Sequence, residues 1–337
     1  MKIAWFVARR LLLLVPVLLG VSFATFALTH ILPGNPVAKI VGPYVSPAQR
    51  RVVAHQLGLD RPFYDQYATY VRDILHGDLG RSLITGQSVS SDLSQRLGAT
   101  VELMTCALLI ALVVAIPLGV LAAVKRNTWI DVVAHVVAVG GISVPIFWSG
   151  IMLSYLLFYK LGIAPAPEGR IDLSLAPPHH ITGLFTVDAL LTGNWAVFRS
   201  AVAHLWLPAS VMGFSVMAPV MRLVRQGMVD ALASPPILAL RALGVPPASL
   251  LFRHALKNAL LPVITMIAVI YGYLLGGSVL IESIFSWPGM GLYAYNAISS
   301  SDFLAVQGFI LYATTIYVVV YFVSDLLYLV ADPRVRY

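Results

Sequence analysis

Six long apolar windows restrict the fold of this chain more than any short motif does. Their bounds are about 11–32, 101–124, 132–160, 204–221, 259–281 and 305–330. A helix needs about 20 apolar residues to cross a hydrocarbon core about 30 Å thick. Charged residues make up only 11% of the 337 residues, against about 25% in a soluble domain. The sequence therefore predicts an all-α polytopic membrane protein with six transmembrane helices.

The basic residues predict the orientation of these helices. Lys and Arg accumulate in cytoplasmic loops, and placing both termini inside (N-in, C-in) puts most of them near that surface, whereas 285–304 contains neither. The inner residues would be Lys2, Arg9, Arg10, Lys125, Arg126, Arg222, Arg225, Arg241, Arg253, Lys257, Arg334 and Arg336. The net charge of +7 thus reflects membrane topology and gives no reason to infer nucleic-acid binding. Membrane lipid is an expected partner of the apolar spans.

The windows divide the chain into three parts. We predict an N-terminal transmembrane helix at 1–32, an extracytoplasmic segment at 33–95 and a transmembrane domain at 96–331, with a cytoplasmic loop at 222–258. Within the extracytoplasmic segment, aromatic and aliphatic residues at helical spacing predict a helix from Pro62 to His76. After it, 89–97 is predicted to follow the outer surface before the chain re-enters the membrane.

Proline and glycine inside the windows mark candidate hinge and pathway positions. In the third window they either loosen the helix and open a cavity or merely kink it for packing, and the sequence leaves both open. The fourth window is predicted to be short and interrupted by Pro208, Gly213 and Pro219. Glycines in the fifth favour close helix approach. The candidates are Pro145, Phe147, Trp148, Gly213, Gly276 and Gly277.

Motifs that carry enzymatic chemistry are absent from the sequence. It contains no G-x-x-x-x-G-K-[ST], H-E-x-x-H, C-x-x-C or G-x-S-x-G. His179 and His180 lack a third metal ligand nearby. Glu102, Glu282 and Asp325 fall toward window ends, where the cost of an ionisable group is smaller. We therefore expect no catalytic residue, cofactor or metal site.

The loop from Met228 to Pro262 is the main remaining signal. Ser234 followed by Pro235 is a typical helix start, and Gly244 is a typical helix end, which predicts a short helix from Pro235 to Leu243. A second helix is predicted from Ala248 to Lys257. Such a loop could be a docking segment for another protein or a hairpin that only joins two spans.

Several motifs spread over nearly the whole chain resemble one family. They are Gly58-Leu-Asp-Arg-Pro62, Gly77-Asp-Leu-Gly80, Ala99-Thr-Val-Glu102, Ile116-Pro-Leu-Gly-Val-Leu-Ala-Ala-Val-Lys125, Pro145-Ile-Phe-Trp148, His254-Ala-Leu-Lys-Asn-Ala-Leu-Leu-Pro262, Glu282-Ser-Ile-Phe-Ser-Trp-Pro-Gly289 and Asp332-Pro-Arg-Val-Arg336. Together they resemble the membrane subunits of binding-protein-dependent ABC importers of the dipeptide, oligopeptide and nickel type.

The resemblance implies the type I ABC importer transmembrane fold and a coupling helix that docks in a cleft of the ATPase subunit. The implied coupling residues are Ile237, Leu238, Ala239, Leu240, Arg241, Ala242, Leu243 and Gly244. Relatives usually carry basic residues where this chain has Leu238 and Leu243, so Arg241 alone remains. The implied partners are a second, similar permease subunit, two ATPase subunits and an extracytoplasmic solute-binding protein.

The implied function is ATP-driven import of dipeptides or short oligopeptides across the bacterial inner membrane. Within the same machinery, nickel complexes, glutathione or another peptide-like solute are alternatives. From other classes, an intramembrane hydrolase and a self-sufficient channel or carrier are the alternatives. The missing catalytic motifs argue against the hydrolase, and the lack of ionisable groups at mid-depth argues against a proton-driven carrier.

Overall fold

The structure, a computed structural model, describes residues 2–31, 46, 48, 49, 52, 55 and 60–331. The predicted segment 33–95 is thus described only in part. The resemblance motif at 58–62 lies partly, and that at 332–336 wholly, outside the described residues. Within these bounds the chain is helical and forms no strand.

Twelve helices follow one another along the described residues, and nearly every predicted span lies in one of them. They are α1 Lys2–Ile31, α2 Phe63–Leu75, α3 Val89–Val124, α4 Trp129–Ser143, α5 Ile146–Ser154 (extended by a π-helical Tyr155–Lys160), α6 Phe185–Leu191, α7 Trp195–Leu232, α8 Pro235–Ala242, α9 (Pro247–Ser249, a π-helical Leu250–Ala255 and Leu256–Ala259), α10 Leu261–Ile284, α11 Met290–Ser300 and α12 Phe303–Ala331.

Four helices are long and apolar enough to cross a membrane by themselves: α3, α7, α10 and α12. The pair α4–α5 qualifies as a fifth when its two halves, bent by 98°, are taken together. The apolar part of α1 that the structure describes, Leu12–Leu28, is shorter. The all-helical membrane class is confirmed, with four or five candidate spans.

Two local predictions about the spans were wrong. The fourth span is not interrupted, because α7 runs unbroken through Pro208, Gly213 and Pro219. Each proline removes one backbone donor, but the surrounding packing holds the helix, and a Cβ on Gly213 would lie 2.7 Å from the carbonyl oxygen of Ala107. Residues 89–97 do not form a separate surface segment, since they are the first turns of α3.

The described residues divide into two compact units, and the first comprises Met1–Gln95 with Tyr293–Ile316. The predicted helix at 62–76 is confirmed as α2. Its aromatic face packs against α1, where the ring of Phe26 lies 5.2 Å from that of Phe63 and 5.2 Å from that of Tyr70. Tyr67 adds a hydrogen-bonding contact of 2.9 Å with the hydroxyl of Ser22.

The second unit, Arg96–Leu292 with Tyr317–Tyr337, is built around α7. This helix packs against α4, α5, α6, α9 and α10. Three methionines at nearly regular spacing along it, Met212, Met221 and Met228, are completely buried. Unbranched side chains of this kind fill irregular gaps between helices, so α7 forms the core of the unit.

Candidate functional site

The loop between α7 and α10 folds into the two short helices that its sequence predicts. Ser234 occupies the residue before α8, but its hydroxyl donates 2.6 Å to the carbonyl of Ala231 and does not cap the helix. Pro235 and Pro236 reduce the need for a cap, because they lack two of the N–H groups that are unsatisfied at a helix start. The prolines thus define the start of α8.

Gly244 ends α8 in the manner predicted. Its φ is +78°, the left-handed region that favours glycine. The Gly244 amide donates to the carbonyl of Arg241 at 3.0 Å, and the Val245 amide donates to the carbonyl of Leu240 at 3.1 Å. These two bonds form a Schellman motif, which turns the chain sharply into α9.

The side chains of α8 divide into one anchor and an exposed apolar and basic surface. Ile237 is only 3% exposed, whereas Leu238 and Leu243 are 48% and 80% exposed. Arg241 is exposed as well, as are Ala239, Ala242 and Gly244, and Leu240 is half-buried. Single leucines on a surface are normal, but Leu238 on α8 and Leu243 directly after it, in a segment with a single charge, indicate a contact surface.

Helix α9 supports α8 and extends this surface. Leu250, Ala255 and Ala259 are buried, and a Cβ on Gly227 of α7 would lie 2.9 Å from the Cα of Ala259, so α7 and α9 touch backbone to backbone. Phe252 is 62% exposed on the same helix. The predicted second helix is confirmed, but Phe252 was not predicted as a site residue; its only sequence signal is an aromatic side chain directly before Arg253 in this basic loop.

Two of the resemblance motifs meet in a buried polar cluster far from this loop. Thr100 donates 2.7 Å to Glu282, whose other oxygen accepts from the Leu292 amide at 2.9 Å. The indole of Trp287 donates 2.9 Å to the carbonyl of Ala99. Glu282 is completely buried. The two motifs therefore hold α3 to the end of α10, and the ionisable Glu282 near a window end was the sequence signal for this contact.

Glu102 belongs to the same region of the second unit. Its carboxylate receives a 2.5 Å hydrogen bond from Arg170 and a 2.6 Å bond from the hydroxyl of Thr186. The guanidinium of Arg170 stacks 3.5 Å from the centre of the Phe185 ring. Glu102 and Arg170 are 5% and 7% exposed, so a paired charge fastens the segment 170–186 to α3.

The candidate hinge and pathway residues have different surroundings. Pro145 stands at the 98° bend between α4 and α5, and Phe147 and Trp148 after it are 47% and 50% exposed. Gly213 allows α7 to approach α3 closely, since a Cβ there would lie 2.7 Å from the carbonyl oxygen of Ala107. Gly276 has open space where a Cβ would be, and at Gly277 that atom would make an ordinary 3.6 Å contact with Ile146.

The remaining candidates show no assembled chemistry. His179 and His180 are both exposed. Among the residues that the structure describes, no group of three or more His, Cys, Asp or Glu side chains is arranged to hold a metal ion.

Comparison with known proteins identifies the family of this chain. Residues 115–337 match the model of the "Binding-protein-dependent transport system inner membrane component", and residues 3–104 match the model of that family's N-terminal region. The chain belongs to this family. It is an inner-membrane permease subunit of an ABC importer.

Three relatives are similar over almost their full length. The chain is 44% identical over 322 residues to the probable D,D-dipeptide transport system permease DdpB of Escherichia coli, covering 96% of this chain and 94% of the relative. Identity to the dipeptide permease DppB of Alkalihalophilus pseudofirmus is 39%, with 98% of each chain covered. Identity to the di/tripeptide permease DppB of Pseudomonas aeruginosa is 42%, with 98% of each covered.

Proposed function

We propose that this permease, with a second subunit of its kind, forms the pathway for dipeptides or short oligopeptides delivered by a solute-binding protein. The names of the three relatives support this substrate class, since all three transport dipeptides or tripeptides. Nickel complexes and glutathione are the alternatives within the same machinery. The hydrolysis of ATP takes place on two partner subunits.

The proposed topology has six spans with both termini in the cytoplasm. The spans are α1, α3, the bent pair α4–α5, α7, α10 and α12. In this arrangement the loop 233–260 is cytoplasmic, and its exposed charges, Arg241, Arg253 and Lys257, are all basic. That distribution agrees with the enrichment of Lys and Arg in short cytoplasmic loops.

The observation that carries the coupling role is the shape and surface of α8. A rigid helix, fixed by two prolines, a Schellman motif and the buried Ile237, presents Leu238, Arg241 and Leu243 outward. We name these three residues the docking surface. Because α8 follows α7 after only two residues, a force on the docking surface acts directly on the helix at the centre of the second unit.

The chemistry of the docking surface defines its partner. The segment 233–259 contains three basic residues and no acidic one. Burial of the two leucines supplies affinity, and the basic residues favour a partner with acidic groups around an apolar cleft. The proposed partner is therefore an ATPase subunit with an apolar cleft and an acidic rim.

Reconstitution tests the transport function. The chain, its second permease subunit and the ATPases are placed in liposomes that contain ATP, with the binding protein and a radiolabelled dipeptide outside. We expect uptake only when all components and ATP are present. Uptake by this chain alone would overturn the importer in favour of a self-sufficient carrier, and peptide cleavage without uptake would favour the hydrolase.

A binding experiment tests the docking surface separately. Leu238→Ser and Leu243→Ser, made together, should reduce co-purification of the ATPase subunits about tenfold or more, since each exposed leucine loses roughly 1.5 kcal/mol of burial at an interface. Val133→Ser with Val136→Ser on α4 is the matched control, with two residues that are 49% and 64% exposed. Unchanged ATPase binding by the α8 variant would remove the coupling role.

A further inference from the structure

Helix α4 is attached to α7 along one narrow stripe of small and polar residues. The buried residues of α4 are Asp131, Ala134, Ala138 and Gly141. Their spacing of three and four places them on one face of the helix. The opposite face is exposed, with Val132 at 61% and Val136 at 64%. The small side chains let the two helices approach closely.

An ion pair closes one end of this stripe. The guanidinium of Arg225 on α7 donates through Nε to Oδ1 of Asp131 and through Nη2 to Oδ2, both at 2.7 Å. Oδ2 also accepts from the Asn127 amide at 3.1 Å, which joins the preceding turn to the pair. Asp131 is 8% exposed. A two-pronged geometry of this kind fixes orientation as well as distance.

A backbone contact closes the other end. A Cβ on Gly141 would overlap the carbonyl oxygen of Phe214 on α7, so only glycine fits. Asp131 and Gly141 are ten residues apart, which is about 15 Å along a helix. Two fixed points at that separation prevent α4 from tilting or sliding against α7.

The bend follows directly after the second fixed point. Val144 and Pro145 are both extended, with ψ of 125° and 131°. Val144 is extended because a residue before proline avoids the helical region. Beyond the bend, α5 packs against α7 and also against α10. A movement of α7 that carried α4 with it while α5 stayed against α10 would therefore change the bend at Val144 and Pro145.

We propose that Asp131 and Arg225 are positioning residues for transport. They join α4 to α7, so that a movement received at α8 reaches the bend at Pro145. Arg225 precedes the first residue of α8 by ten positions on nearly continuous helix. The proposal rests on the proposed coupling function of α8, and neither residue touches substrate or nucleotide in this role.

The test is the number of dipeptides transported per ATP hydrolysed by the assembled importer. Asp131→Asn and Arg225→Gln should leave ATP hydrolysis close to wild type but reduce uptake per ATP about tenfold or more, because a buried charge without its partner destabilises the contact. The double exchange Asp131→Arg with Arg225→Asp should restore part of the wild-type number of dipeptides transported per ATP hydrolysed. Arg222→Gln, an exposed arginine one turn away on α7, is the matched control and should transport normally.

The outcomes separate this proposal from the function on which it rests. If the wild-type importer shows no ATP-dependent uptake, the proposed function fails. If it transports and the Asp131 and Arg225 variants keep the wild-type ratio, only the positioning role is overturned. A parallel loss of hydrolysis and uptake per assembled complex would also overturn it, since that result indicates a purely structural role.

A distance measurement decides the question even if the variants do not assemble. Spin labels at Val136→Cys on α4 and Gln226→Cys on α7, with Cys106→Ala, report the separation of the two helices while Asp131 and Arg225 are unchanged. We expect the same distance without nucleotide and with bound ATP. A change of more than about 3 Å, larger than ordinary helix shifts of about 1–2 Å, would show that α4 and α7 move independently and would overturn the proposal.

Discussion

Thr100 and Glu282, 182 residues apart in the chain, share a 2.7 Å hydrogen bond and are both completely buried. The amide of Met290 donates to the same threonine hydroxyl at 2.8 Å. One hydroxyl and one carboxyl thus connect α3, the end of α10 and the start of α11. A buried polar group that loses its partner costs more free energy than the bond itself supplies.

Replacement of Glu282 should therefore destabilise the protein strongly. Glu282→Ala leaves the Thr100 hydroxyl and the Leu292 amide without their acceptor, at a cost on the order of 3 kcal/mol. Glu282→Gln, which keeps one acceptor oxygen, should lie between that variant and wild type. Thermal unfolding of the purified chain in detergent measures the difference. Ser283→Ala, at a half-buried neighbour, is the control; an equally small effect at both positions would contradict the structural role.

The spans and the loop helices could be predicted because their signals are local. Apolar length alone indicates a membrane helix, and Pro235, Pro236 and Gly244 act on their own backbone, so the bounds of α8 followed from the sequence. The path of α7 could not be predicted in this way. Pro208 and Pro219 are unfavourable locally, and only packing around α7, invisible in a single sequence, keeps the helix continuous.

Ion pairs between residues far apart in the chain could not be predicted from the sequence either. Glu102 and Arg170 are paired across 68 positions, and Asp131 and Arg225 across 94. Nothing in the spacing of a single sequence connects such residues. Arg225 was interpreted only as one of several basic residues that fix orientation, although its main contact is a carboxylate inside the protein.

Asp188 should make the loop 181–183 sensitive to acid. Burial alone would raise the pKa of this carboxyl, but hydrogen bonds from the side chain and amide of Thr182 and from the amides of Ile181 and Gly183 lower the pKa below its usual range. A carboxylate with a lowered folded-state pKa contributes stability above its unfolded pKa of about 3.9 and loses it as the pH falls through the folded value.

Hydrogen exchange of peptides that cover 181–183 measures this effect. Protection should be constant from neutral pH to about pH 4 and disappear below it. Asp188→Asn should remove most of the protection at every pH. Glu168→Gln, an exposed carboxylate in the same loop region, should change nothing. Protection in Asp188→Asn that equals wild type at pH 7 would show that the carboxylate does not order the loop.

Gly244 should tolerate substitution according to backbone conformation, since no atom lies within 4 Å of the position of a Cβ. Gly244→Ala places an L-residue at φ +78°, which costs about 1–2 kcal/mol, and should reduce uptake. Gly244→Asn should be milder because asparagine visits this region more readily. Gly244→Asp should abolish ATP-driven uptake but not membrane insertion, since it adds an acidic charge where an acidic rim is proposed.

The measurement for Gly244 is uptake per assembled importer, with membrane insertion checked by fractionation. Gly20→Ala is the matched control, because Gly20 also has open space around it but lies within the regular helix α1. Alanine is favoured over glycine there, so no loss is expected. Equal uptake by Gly244→Ala and wild type would show that the left-handed turn after α8 is unimportant for coupling.

Arg241 should determine how ATPase binding depends on salt. Exposed charges are screened over about 10 Å at 0.1 M ionic strength and about 3 Å at 1 M. Binding of the wild-type permease to its ATPase should therefore weaken as the salt concentration rises. The part of the binding free energy that comes from burial of Leu238 and Leu243 should not weaken with salt. Arg241→Ala should bind more weakly at low salt and show a shallower salt dependence. Arg199→Ala, an arginine near the opposite end of α7, should keep the wild-type dependence. If Arg241→Ala binds the ATPase as wild type does at every salt concentration, Arg241 makes no contribution and docking depends on the two leucines alone.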